Sequence, residues 1–145
     1  MFIRHSGDYR WENVQLLAYK EEGNHFKNIT RQILLDGQPE LPCQVRYFEI
    51  ASGGYSTLEQ HQHIHYVVIS RGNGDALVGD AIYHVQEKDV LMIPSLTWHQ
   101  FRATSDQPLG FICLVHMERD KALLPTEEDL KLLNQNPDIA EFIRC

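Results

Sequence analysis

From Val45 to Ile50 the chain reads Val-Arg-Tyr-Phe-Glu-Ile, a run rich in β-forming residues, and Gly53-Gly54 follows where such a run would break. Tyr66-Val67-Val68-Ile69-Ser70 is a second β-branched run. It is closed by Arg71-Gly72-Asn73-Gly74-Asp75, a turn signal that predicts a hairpin. Ala76 to Val85 reads as two strands about a Gly79-Asp80 turn, and Asp89-Val90-Leu91-Met92-Ile93 as another before Pro94. Trp98 to Ala103 and Leu109 to Met117 add two more, separated by Ser105-Asp106-Gln107-Pro108. Short strands at this regular spacing predict a closed all-β sandwich or barrel.

The pattern changes near the C-terminus. Thr126 stands as an N-cap before Glu127-Glu128-Asp129, whose acids suit a first helical turn, and Leu130, Leu132 and Leu133 follow. Pro137 to Ile143 predicts a last turn or two with Ile139, Phe142 and Ile143 on one side, so residues 126–144 form a helical tail. Tyr9 to Leu35 holds further strands without sharp boundaries. No repeat, linker or low-complexity stretch divides the 145 residues, which are read as a single domain.

Composition narrows the function classes. Thirteen Lys plus Arg against twenty Asp plus Glu give a net charge of −7, the wrong sign for a chain that binds nucleic acid by counterion release. The longest apolar runs, such as Phe111 to Val115, fall far short of the roughly 20 residues that span a bilayer, so no membrane partner is expected. The N-terminus lacks a basic segment followed by an apolar one, which makes the cytoplasm the expected location. Cys43, Cys113 and Cys145 are odd in number and widely spaced, consistent with reduced thiols.

The distinctive chemistry is in the eight histidines, three of which, His61, His63 and His65, fall within five residues. On a regular strand Glu59, His61, His63 and His65 would share one face. Imidazole and carboxylate ligands together suit one divalent transition metal ion such as Mn, Fe, Co, Ni or Zn.

These residues carry a resemblance. Gly53, Glu59, His61, His65 and Gly72 reproduce the spacing of the first cupin motif, G-x5-H-x-H-x3,4-E-x6-G, with Glu59 and His65 exchanging the usual ligand types. In the second motif, G-x5-P-x-G-x2-H-x3-N, Pro94 and His99 match, while Lys88, Leu96 and Ala103 replace the two glycines and the asparagine. The chain thus resembles the cupin family, of the single-domain conserved-barrel (cupin 2) type. That resemblance implies a double-stranded β-helix, or jelly-roll, barrel over about residues 45–117. It also implies metal ligands at Glu59, His61, His65 and His99. His63 becomes a neighbour that orients a ligand, binds substrate or moves a proton, or else enters the ligand set in place of Glu59.

Cys113 has two readings, a small buried hydrophobe or a thiol facing the barrel interior near the metal. Arg102 is placed to reach an anionic ligand, Arg119 and Asp120 are read as solvated or bound to the helix, and Trp98, Tyr66, Phe101 and Tyr83 as barrel packing. The resemblance implies a small-molecule substrate, a homodimer, and enolisation, isomerase or lyase chemistry on an oxygenated metabolite such as a sugar phosphate. It extends to a smaller group of single-domain cupins that includes enzymes removing a methylthio group from a sugar phosphate. There the ion would polarise the carbonyl, His63 would move the proton and Cys113 would receive the sulfur. A non-catalytic binding module and an Fe(II) dioxygenase are the alternatives.

Overall fold

The computed structural model describes every residue, Met1–Cys145. Its strands are β1 (His5–Gly7), β2 (Arg10–Trp11), β3 (Leu17–Ala18), β4 (Lys27–Leu35), β5 (Cys43–Tyr55), β6 (His65–Arg71), β7 (Asn73–Val78), β8 (Ala81–Gln86), β9 (Val90–Ile93), β10 (His99–Arg102) and β11 (Leu109–His116). Helices α1 (Glu127–Leu133) and α2 (Pro137–Phe142) complete the chain. The main sheet runs β8-β7-β10-β5-β11-β6-β9, with β4 added on β5 and β3 on β4, and every pairing is antiparallel. The curled sheet is the expected jelly-roll barrel. No helix is long and apolar enough to cross a membrane.

Two turns differ from expectation. Gly53-Gly54 does not end its strand: β5 continues to Tyr55, with Gly53 at φ 70°, and passes from pairing with Leu109–His116 before the glycines to pairing with Arg102 after them. A side chain at Gly54 would run into the Lys27 and Ala51 carbonyls, so a bent, close-packed strand needs glycine there. Gly72 likewise turns the chain without making a hairpin. β6 pairs with β9 and β11, whereas β7 pairs with β8 and β10, so the turn is a corner between the two halves of the barrel.

Alternation along the strands fills the interior. Ile29, Phe48, Ile50, Val67, Ile69, Phe101, Phe111, Cys113 and Val115 are among the residues of one buried cluster, in which Phe111 stacks against both Phe48 and Phe101. Phe101 thus packs the barrel as expected. Tyr66 and Tyr83 do not: they sit on the opposite phase of β6 and β8 and are half-exposed. Trp98 packs against the second cluster, where Ile139 and Phe142 of α2 cover Leu58 and Leu77. Thr126 caps α1 in a capping box with Asp129, and Asn136 caps α2 ahead of Pro137. This helical tail also claims Arg102. Its Nη1 donates to the Phe142 carbonyl at 2.6 Å, so Arg102 ties sheet to tail and does not line the barrel cavity.

The N-terminal segment wraps the outside of β5. Tyr9 and Trp11 pack on the ring of the fully buried Tyr47, and Gln32 donates to the Tyr9 carbonyl. After β3 the chain turns inward, bringing Tyr19 and Lys20 to the mouth of the barrel.

Candidate metal centre

The run from Glu59 to His65 is not one regular strand. Glu59 makes an isolated bridge with His99, Gln60 bridges to Leu123, residues 61–64 form no ladder, and β6 begins at His65. The backbone groups of this loop find other partners. Leu96 N–H donates to the His61 carbonyl at 2.7 Å, and the Asp120 carboxylate accepts from the Gln62 and His63 N–H groups at 2.7 and 3.1 Å. Lys88 (φ 78°) and Leu96 (φ 52°) stand where the second motif has glycines, and both keep the left-handed backbone that glycine would adopt without cost. The turns survive the loss of the glycines, and Leu96's turn anchors His61.

The loop brings imidazoles from three places together. His61, His65 and His99 each offer a ligand atom, and these atoms lie within 4.8 Å of one another. His61 and His99 are buried and His65 is half-buried. The Nδ1–H of His61 donates to the His63 carbonyl at 2.7 Å, and that of His99 to the Thr97 carbonyl at 2.9 Å. A carbonyl can only accept, so each proton is on Nδ1 and the Nε2 lone pair is left free. The Nε2 atoms of His61 and His65 are buried with no hydrogen-bond partner. Buried polar atoms are normally satisfied, and a metal ion is the partner that three converging lone pairs fit.

The electrostatics keep those lone pairs available. Burial first, then the charges of His99 and His63, push the His61 imidazole down to about 4. Burial is also the largest cause holding His65 and His99 well below the usual imidazole range. All three are neutral at physiological pH, the form that binds metal. Glu59 stands beside the trio and lines the same cavity, but its Oε2 is taken by the Lys20 ammonium. His63 stacks on His61 with ring centroids 3.7 Å apart, and its Nδ1 contacts Asp120 Oδ1 at 2.6 Å.

One cavity of about 250 Å³ collects these groups. Cys113 lines it too, on the inward phase of β11 directly across from Val67 on β6 and Arg46 on β5. The thiol is therefore both a packed core group and a cavity group. Burial pushes it up, while the Arg46 charge and a contact from Arg46 Nη2 to Sγ at 3.6 Å pull the other way. Asp120 and Arg119 are exposed, as one of the two expectations had it, and neither is bound to the helix: Asp120 clamps the histidine loop, and Arg119 joins Arg31, Arg46 and Lys20 on the cavity wall. Arg31 and Arg46 did leave a signal in the sequence. Arg46 alternates with Phe48 and Ile50, and Arg31 stands two residues from Ile29, so each is in phase with core residues. Nothing local marked Asp120, which acts across 57 residues of chain.

Comparison with known proteins agrees with this architecture. The family model described as "Cupin domain" matches residues 46–115. A curated protein of Rhodospirillum rubrum named 1-methylthio-D-xylulose 5-phosphate methylsulfurylase is 52% identical over 136 residues, which are 93% of this chain and 86% of that protein. The crystal structure of a cupin 2 conserved barrel domain protein from Rhodopseudomonas palustris superposes with a TM-score of 0.94 at 44% identity, covering 100% of both chains. That of a cupin-2 domain protein from Rhodospirillum rubrum gives 0.88 at 50% identity over 97% and 95%. With this barrel, this histidine trio and these relatives, the chain belongs to the cupin family.

Proposed function

We propose that the protein removes the methylthio group from a methylthio ketose phosphate, with Cys113 as the group that takes the sulfur. The observation that carries this reading is the shared cavity of a buried thiol and three metal-ready imidazoles. The 52% identity to a methylsulfurylase supplies the substrate class. In such a substrate the methylthio carbon, C1, adjoins the C2 carbonyl. His61, His65 and His99 would hold a divalent ion, which when bound would supply Lewis-acid polarisation of a carbonyl.

The chain's own residues do the rest. Arg46 Nη2, next to Sγ, favours the thiolate over the thiol. Attack by that thiolate on the substrate sulfur forms a disulfide between Cys113 and the methylthio group and breaks the C1–S bond, whose electron pair moves to C1 and into the carbonyl as an enolate. His63, held by Asp120, delivers the proton that C1 then takes. C1 is reduced, Cys113 is oxidised, and a small external thiol regenerates the cysteine by disulfide exchange.

The decisive variant is Cys113→Ser. Turnover of a methylthio ketose phosphate is expected to vanish while elemental analysis finds the metal content of the wild type. Wild-type protein mixed with substrate and no added thiol should gain the mass of one methylthio group on Cys113. Full activity of the metal-loaded serine variant would exclude sulfur transfer to this residue.

A further inference from the structure

Beyond the thiol, the cavity wall is built from arginine. Arg31 comes from β4, Arg46 from β5 and Arg119 from the segment after β11, and all three line the cavity. In strand order β4-β5-β11-β6, Arg31 and Arg46 lie on the far side of Cys113 from His65, each step adding roughly 4.8 Å, and the more exposed Arg119 is tied to β5 by its Nη1, which donates to Gln44 Oε1 at 3.1 Å. Arg46 is only 8% exposed, and the Nε atoms of Arg31 and Arg46 are buried without any hydrogen-bond partner. None of the three has a carboxylate within 4.0 Å; the salt bridges of the molecule are made elsewhere. The two acids on the cavity wall are already committed, Glu59 to Lys20 and Asp120 to His63. Burial first, then the charges of Arg46 and Arg31, hold Arg119 below the ordinary guanidinium range, so the three groups feel one another.

Guanidinium does not shed its proton to relieve such crowding, and a buried cation without a counter-ion is costly. The thiol can supply at most one negative charge. We infer that Arg31, Arg46 and Arg119 form an anion subsite that takes a phosphate monoester, fixing the phosphorylated end of the substrate across the thiol from the histidine trio. A phosphate carries close to two negative charges and three acceptor oxygens, which suits planar donor forks converging on it. The subsite deepens the reading of the preceding subsection and depends on it only for the rest of the substrate. A phosphorylated sugar and free inorganic phosphate share the recognised chemistry.

The test uses the full-length protein as purified, titrated calorimetrically with inorganic phosphate, ribulose 5-phosphate and ribulose. The wild type is expected to bind both phosphates and to ignore ribulose. If the sugar phosphate is the natural source, ribulose 5-phosphate binds more tightly than phosphate. Arg46→Met and Arg31→Met should each weaken phosphate binding by about 30-fold or more, since truncation leaves a buried charge unpaired. They should leave the metal content unchanged. Because each variant removes a buried cation in exchange for an apolar side chain, it should melt no lower than the wild type in phosphate-free buffer, and it should lose the rise in melting temperature that phosphate gives the parent.

Wild-type protein indifferent to phosphate, or variants that bind phosphate as the parent does, would overturn the subsite. The chemistry fails separately: Arg46-dependent phosphate binding without turnover of a methylthio ketose phosphate would leave the subsite standing and remove the sulfur transfer. Equal turnover of phosphorylated and unphosphorylated substrates would do the reverse.

Discussion

The cavity has two basic ends, and burial treats them in opposite ways. At the β6 end the imidazoles of His61, His65 and His99 give up their protons, because desolvation penalises the charged form and a neutral form is within reach. The result is a set of free lone pairs directed at a cation. At the β4–β5 end, Arg31 and Arg46 meet the same low-dielectric surroundings with no neutral form available. Their charge persists and calls for an anion. Residues that a charge count would group together as basic thus build opposite sites, and Cys113 sits on the strand between them.

The largest test of that contrast is to remove a lone pair. His99→Ala and His61→Ala should each lower metal affinity by more than about 100-fold, beyond what loss of a supporting residue does, while Arg46→Met leaves it unchanged; metal titration followed by elemental analysis measures both. If His99→Ala bound metal like the parent, the three-imidazole site would be wrong.

Asp120→Asn probes the clamp on the loop between the trio's members. It keeps the shape but weakens the three contacts to Gln62 and His63, and a fall in turnover of about tenfold to 100-fold is expected from similar losses of supporting hydrogen bonds. Metal content should hold, and an Asp120→Glu variant that keeps the carboxylate should recover part of the rate. Unchanged turnover in Asp120→Asn would remove His63 positioning from the account.

Acid separates the ends further. In metal-free protein the folded imidazoles stay unprotonated at a pH where unfolded ones, near 6.5, take up a proton. Stability should therefore fall as the pH drops below about 6.5, by up to about 1.4 kcal/mol per pH unit for each such histidine. For His61 the fall ends near its folded value of about 4. Chemical denaturation between pH 7 and 5 measures this, and saturating metal should raise the stability across the range without changing the slope, since the folded imidazoles carry no proton there for the ion to displace. A flat profile would show that the histidines are not desolvated.

The smallest effect is the melting temperature of Arg46→Met without phosphate. Exchange of this buried charge for an apolar side chain is worth on the order of 1 kcal/mol, the lower end of the range for such replacements, a rise of several degrees for a chain of this length. A clear drop instead would mean that Arg46 already has a counter-ion in the folded protein.

Much of this molecule was legible before any coordinates. Runs of β-forming residues bounded by turn signals located most strands after Val45, because strand preference and turn chemistry are settled over a few residues of chain. The Thr126 N-cap with its first-turn acids and Pro137 marked the tail, since capping is settled within a turn or so of backbone. Motif spacing pointed to His61, His65 and His99, all of which enter the trio. Spacing could not separate them from Glu59, whose partner Lys20 lies 39 residues away.

The sequence by itself settled local geometry: which residues alternate inward, where turns can form, and which side chains can ligate a metal. Tertiary structure decided everything that depends on a partner distant along the chain. Gly72 became a corner and not a hairpin because β6 pairs with β9 and β11. Lys20 drew Glu59 toward an ion pair, and Asp120 clamped the histidine loop. Two arginines that alternate with core residues met at one wall of a cavity. The physical reason is range. Dihedral preference and capping act over a few residues, whereas charge and desolvation depend on what surrounds a group in space, and that surrounding exists only once the sheet has curled.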